Sequence, residues 1–150
     1  MTKPTPPLLL LAEGRRPRLR SAPKSRPKEI ALHMCVAAVL RNHARPDWLW
    51  THIANGEVRD PHTAGKLKQM GMQPGWPDFV LVPPRGQIHC LELKRLGTSL
   101  SDAQEGFGFW CIRNGVPHVT AHTMDEVLVA FDVWDCLSIN TDGLRKGGAL

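Results

Sequence analysis

Asp78, Glu92 and Lys94 are the residues of this chain whose types and spacing could do chemistry. They punctuate an otherwise apolar stretch, residues 75–94, which reads GWPDFVLVPPRGQIHCLELK. A carboxylate in apolar surroundings is costly unless it is paired or binds a cation. Side chains two apart on a strand share a face, about 6.6 Å from each other. A strand over 88–93 that continues to Lys94 would therefore aim Glu92 and Lys94 the same way, with Ile88 and Cys90. If 79–82 pairs antiparallel with that strand, Asp78 arrives at the same end. The two carboxylates could then hold one Mg²⁺ or Mn²⁺, hard ions that take oxygen ligands, with the backbone carbonyl of Leu93 as a further ligand. A bound ion of this kind polarises a phosphodiester and lowers the pKa of a bound water. Lys94 would position or help deprotonate that water and offset phosphate charge. The competing reading is a Glu92–Lys94 ion pair on a solvated sheet surface, and spacing alone does not choose between the two.

Several elements must position these residues. Residues 29–43, EIALHMCVAAVLRNH, carry a helical stripe of Ile30, Met34, Ala37 and Leu40 or Arg41, widened by Leu32, Val36 and Val39. Pro27 lies just before this helix and Pro46 just beyond it. Residues 48–54 predict a strand stopped by Asn55-Gly56, and 61–70 a short helix stopped by Gly71. The runs 79–82 and 88–93 predict a hairpin around Pro83-Pro84-Arg85-Gly86. Ser101-x-x-Gln104 has the form of a capping box, opening a helix that ends at Asn114-Gly115. A strand over 116–121 follows. Thr123-Met124-Asp125-Glu126 is a second capping box, opening a helix to about Asp135. The Gly-rich residues 138–150 predict a frayed tail. The two later strands, joined through a helix, predict a right-handed parallel crossover. The expected architecture is an α/β sandwich on a mixed four-stranded sheet.

At 150 residues and 42% hydrophobic, the chain suits one domain with a real core. Its net charge of +5 is uneven. Residues 1–28 hold eight Lys/Arg against Glu13 alone, whereas the remainder carries a balance of −2. The tail also contains Pro4, Pro6, Pro7, Pro17, Pro23 and Pro27, which predicts disorder. The expected division is a basic tail (1–28), a folded domain (29–137) and a flexible end (138–150). A basic arm attracts nucleic acid through counterion release; a plain solubilising leader is the alternative. The apolar run at 8–12 is too short to span a bilayer or serve as a signal peptide, and no membrane partner is expected. Cys35, Cys90, Cys111 and Cys136 read as reduced core residues of a cytosolic protein.

Taken in order, Gly75-x-Pro77-Asp78, Glu92-x-Lys94 and Leu100-Ser101-x-x-Gln104 resemble the VRR-NUC branch of the PD-(D/E)xK nuclease superfamily. The resemblance covers roughly residues 29–133, with Glu29 in the place of the glutamate typical of the first helix. It implies a restriction-endonuclease-like αβββαβ core. It also implies metal binding by Asp78 and Glu92, with Lys94 as the catalytic lysine. Gln104 would orient Lys94 or the scissile phosphate, and Glu29 would be a metal-shell or water-orienting residue. Both helix residues also have local rationales, Gln104 in its capping box and Glu29 at a helix N-terminus. The activity implied is a Mg²⁺- or Mn²⁺-dependent DNA endonuclease of the stand-alone phage or bacterial type. Such enzymes act as homodimers on branched DNA such as four-way junctions, in the cytoplasm of the bacterial or phage-infected cell. The alternatives are a DNA-binding module of the same fold without catalysis, and a flap or restriction-like nuclease.

Further candidates are weaker. Lys66, Lys68 and Arg95 read as phosphate contacts or as solvated charges. His52 reads as pointing to DNA or the site, or as a half-exposed strand histidine. Trp76 would pack over the site entrance or fill the core. His118 and His122 are four apart, but on strand and turn, so helical zinc geometry is not expected.

Overall fold

In the computed structural model, which describes residues 26–54 and 60–146, alternation of helical and strand periodicity produces nine elements. They are α1 (Arg26–His43), β1 (Leu49–His52), α2 (Pro61–Gln69), β2 (Phe79–Val82), β3 (His89–Leu93), α3 (Asp102–Arg113), β4 (His118–Ala121), α4 (Met124–Trp134) and α5 (Asp142–Lys146). The strands form one sheet in the order β1-β2-β3-β4. β1 with β2 and β2 with β3 are antiparallel, while β3 with β4 is parallel. A parallel pair needs a crossover connection, and α3 supplies it. The fold is therefore α/β, a mixed four-stranded sheet flanked by helices, as the periodicity predicts.

Strand alternation sorts the side chains between two faces. Phe79, Leu81, Leu91 and Leu93 join Val36, Val39 and Leu40 of α1 and Val127, Leu128 and Phe131 of α4 in one buried cluster. Cys90 and Glu92 alternate with Leu91 and Leu93 and so point to the opposite face, where Cys90 meets Cys111 of α3. Four of the five β3 residues are buried, which is what a central strand covered on both faces requires. Glu92 is the single acidic member of that strand, so the fold buries a carboxylate between the apolar side chains of Leu91 and Leu93 in sequence.

The boundaries show where local signals fall short. α1 starts at Arg26, which places Pro27 inside the first turn, where a missing N–H costs nothing. The second capping box is only half formed. Thr123 Oγ1 accepts from the Glu126 N–H at 3.3 Å, but Glu126 Oε2 accepts from the His122 N–H at 2.6 Å, one residue too early to close the box. The frayed tail is corrected over 138–146. Thr141 is fully buried and its hydroxyl donates to Asp132 of α4, which also pairs with Arg145 of α5. Ser138 donates to the His43 carbonyl through both its backbone N–H and its hydroxyl. These long-range bonds order a segment that looks featureless in composition. The basic tail before residue 26, the Asn55-Gly56 stop and residues 147–150 lie outside the described residues.

All four cysteines are free, and burial pushes the thiols of Cys90 and Cys136 up to about 12. Cys90, Cys111 and Cys136 are buried and pack as small apolar groups, whereas Cys35, expected in the core, is only half-buried. Among the described residues, no helix is long and apolar enough to cross a membrane.

Candidate active site

Glu92 is only 2% exposed. That overturns the solvated-surface alternative, because an ion pair out in water would leave its carboxylate accessible. Two partners hold it. Lys94 Nζ lies 3.3 Å from Glu92 Oε1, and Gln104 Nε2 donates to the same oxygen. Neither contact uses Oε2.

Gln104 reaches Glu92 because of how α3 begins. Ser101 is the N-cap, and its hydroxyl accepts from the Gln104 N–H at 3.3 Å. In return Gln104 Oε1 accepts from the Ser101 N–H at 3.0 Å, so the capping box is complete. The carbonyl end of the amide is thereby fixed on the cap, and the NH₂ end is free to bind a carboxylate. Gln104 therefore orients Glu92 and not Lys94. Ser101→Ala is expected to lower thermal stability by about 1 kcal/mol, the usual loss for an N-cap. Restoration by Ser101→Thr in a melting experiment would assign the loss to the cap hydroxyl.

Asp78 is delivered by the Gly75-x-Pro77-Asp78 segment. Gly75 has φ +88°, and a Cβ there would lie 2.3 Å from the Ala103 carbonyl oxygen. The absence of a side chain thus lets the loop press against the first turn of α3. Trp76 packs its ring 5.4 Å from Phe107 of α3, and Pro77 is fully buried. The pairing Phe79↔Leu91 continues one residue outward to set Asp78 level with Glu92. Asp78 Oδ2 accepts from the Leu93 N–H at 2.8 Å, a bond that leaves Oδ1 unused. One residue further out, the same register faces Leu93 with Pro77, which has no N–H to offer the Leu93 carbonyl.

The electrostatics follow from this enclosure. Burial, reinforced by the nearby Asp78 charge, raises Glu92 from 4.5 to about 7 despite the opposing effects of Lys94 and Gln104. Burial also raises Asp78 above the usual aspartate range, opposed by the Leu93 N–H and by His33. Two carboxylates share one lysine, so negative charge is undercompensated. Asp78 Oδ1, Glu92 Oε2 and the Leu93 carbonyl are the oxygens that could hold a hard divalent ion.

These groups open onto a cleft of roughly 600 Å³ lined by Glu29, Lys68, Trp76, Asp78, Glu92, Lys94 and Gln104, among others. Glu29 thus faces the cleft from α1, half-buried. Lys68 reaches the wall from α2, while Lys66 is exposed and outside the lining. Arg95 is exposed in the turn after β3, its carbonyl accepting from the Thr98 N–H at 3.1 Å. His118 packs against Phe107 at 5.8 Å, and His122 pairs with Glu126, so these two histidines do not converge.

His52 is exposed at the end of β1, but it also contacts a residue that sequence reasoning missed. His33 of α1 places Nδ1 3.1 Å from His52 Nε2, and its Nε2 lies 3.8 Å from Asp78 Oδ2. Burial lowers the His33 pKa, with Asp78 opposing that effect. The available signal was its spacing, since His33 lies four residues after Glu29 and so shares its helix face.

Comparison with protein-family models, with curated proteins and with solved structures returns no match. The residues and their geometry are therefore what bears on function.

Proposed function

We propose that this chain is a divalent-metal-dependent deoxyribonuclease of the VRR-NUC type, built on a restriction-endonuclease-like core. The observation that carries the reading is the enclosure of Glu92 with Lys94 and Gln104 beside Asp78 at one end of the sheet. A protein that only bound DNA would gain nothing from a buried carboxylate that ionises near neutral pH. Phosphodiester hydrolysis gives that carboxylate a use.

Asp78, Glu92 and the Leu93 carbonyl would hold Mg²⁺ or Mn²⁺. The ion, when bound, supplies Lewis-acid polarisation of the phosphodiester and a bound water of lowered pKa. The chain's own groups do the rest. The Leu93 N–H fixes one oxygen of Asp78, and Gln104 fixes one oxygen of Glu92, so each carboxylate keeps its other oxygen for a ligand. Lys94 holds a positive charge at the cleft, where it offsets phosphate charge and orients the attacking water. Lys68 extends that positive character along the cleft wall, with Lys66, Arg95 and His52 as outer contacts to the DNA backbone. Glu29, which lines the cleft from α1, would orient water. The substrate proposed is branched DNA, with the four-way junction foremost, cut by a homodimer whose two sites nick paired strands.

The test offers labelled four-way junction, flap, nicked and linear duplex DNA with Mg²⁺, Mn²⁺ or EDTA. Metal-dependent cleavage of the junction, abolished by EDTA, is expected. Asp78→Asn and Lys94→Met should each reduce the rate by on the order of 10²–10³ or more, the scale of losing one transition-state contact. Inactivity on every substrate would remove the enzyme reading and leave a DNA-binding module. Undiminished cleavage by either variant would remove the site assignment, and preference for the flap would change the substrate.

A further inference from the structure

His33 and His52 have no necessary part in an all-oxygen metal site, yet the fold brings them to Asp78. His33 lies on α1, His52 ends β1, and Asp78 precedes β2. One ligand atom from each of the three falls within 4.8 Å of the others. The two imidazoles are held in place by a common neighbour. Their rings lie 6.0 and 5.0 Å from that of Phe79, which is fully buried.

The polar contacts inside this group are incomplete. His33 Nε2 is buried and has no hydrogen-bond partner. Its nearest acidic oxygen, Asp78 Oδ2, is 3.8 Å away, beyond hydrogen-bonding range. Two ligand atoms each about 2.0–2.1 Å from one ion can be at most about 4.2 Å apart. A separation too long for a hydrogen bond thus suits two ligands of a shared ion. The 3.1 Å contact of the other ring nitrogen, His33 Nδ1, with His52 Nε2 is a hydrogen bond of the metal-free pair, which ion binding would replace.

We infer that His33, His52 and the Asp78 carboxylate form a binding site for a borderline transition ion of the Zn²⁺ class. Imidazole favours such ions, whereas the oxygen set of Asp78, Glu92 and Leu93 suits Mg²⁺ or Mn²⁺. Three protein ligands leave a coordination position open, as in catalytic rather than structural zinc sites. Exposed His52 provides the access route. The inference rests on the nuclease reading only in sharing Asp78, which would then serve two donor sets of different chemistry.

The test needs no DNA. The metal-free full chain is titrated with Co²⁺ and followed by visible absorption, and Zn²⁺ is added calorimetrically in competition. At least one ion per chain is expected, with the absorption of a nitrogen-ligated, low-coordinate Co²⁺ marking the histidine site. His33→Gln and His52→Gln should each weaken binding by at least about 100-fold, the upper end for loss of even an outer partner. Binding should persist in Glu92→Gln and in His122→Ala. Circular dichroism checks folding, and exposed His52 provides a variant that leaves the core untouched. Wild-type protein that does not bind Co²⁺, or either histidine variant binding it undiminished, would overturn the site. Loss in Glu92→Gln equal to that in the histidine variants would also overturn it by assigning the ion to the oxygen set. Mg²⁺-dependent cleavage without Co²⁺ binding defeats this inference alone; Co²⁺ binding without any DNA cleavage defeats the nuclease reading alone.

Discussion

Glu92→Gln is expected to raise the melting temperature of the metal-free protein at about pH 8 while eliminating metal-dependent cleavage. The two effects have one cause. Glu92 is 2% exposed, and its pKa is raised from 4.5 to about 7 by burial first and by Asp78 second. A carboxyl group with a raised folded-state pKa stabilises the fold fully below its unfolded value and loses that stability as pH rises through the folded value. The metal-free protein should therefore weaken between about pH 4.5 and about pH 7, and then level off as far as Glu92 is concerned. A shift of this size corresponds to on the order of 3 kcal/mol. Glutamine is nearly isosteric and can still accept from Gln104, but it leaves Lys94 without its partner. The net gain at about pH 8 should therefore be about 1–3 kcal/mol, several degrees in melting temperature. Near pH 4 the gain should vanish, because the glutamate is then protonated in both states. Saturating Mg²⁺ should stabilise the wild type, since it binds only the folded form, and do little for the variant. A lower melting temperature for Glu92→Gln at about pH 8 would mean that the Lys94 pairing outweighs the burial penalty.

Gly75→Ala should be inactive and severely destabilised although every reacting side chain is intact. Two penalties combine at this position. The backbone is left-handed, φ +88°, which costs an L-residue about 1–2 kcal/mol. The new Cβ would also meet the Ala103 carbonyl oxygen at 2.3 Å and its carbon at 2.6 Å. Those are backbone atoms in the first turn of α3, so relief requires moving either the turn that delivers Asp78 or the helix that carries Gln104. A loss above about 4 kcal/mol is expected, in the range reserved for a named steric failure. Gly71 and Gly86 provide the comparison. They have φ +94° and +98°, and a Cβ at either would find nothing within 4 Å, so alanine there meets the backbone penalty alone. Denaturant unfolding of the three variants separates the two contributions, and equal losses at Gly75 and Gly86 would refute the close approach as a cause.

Much of this fold could be read locally because its signals are local. The run Phe79–Val82 has a continuous apolar character with two β-branched valines, bounded by the Pro83-Pro84-Arg85-Gly86 turn signal. Ser101 and Gln104 announce the start of α3 three residues apart. The approach of Asp78 to Glu92 follows from strand alternation plus one assumed hairpin pairing. What escaped was made by distance in sequence. His33 meets Asp78 across 45 positions, and its four-residue spacing from Glu29 shows a shared helix face but not the strand residue that face meets. Thr141 is buried against Asp132 of α4, whereas its neighbours Asn140, Asp142 and Gly143 look like a loop. Glu126 shows the opposite limit. The right residue stood at the right spacing for a capping box, and a competing N–H from His122 took its carboxylate.

Gln104 has a consequence for which residues the chain can exchange. In most capping boxes glutamine and glutamate are synonyms, because only an acceptor is needed. Here the same side chain must accept from Ser101 and donate to Glu92, and a glutamate would answer the first demand while repelling the second. A position that looks like ordinary helix punctuation is therefore restricted to one amino acid by a residue on another element. Drift to glutamate at position 104 would leave the helix standing and unfasten the carboxylate.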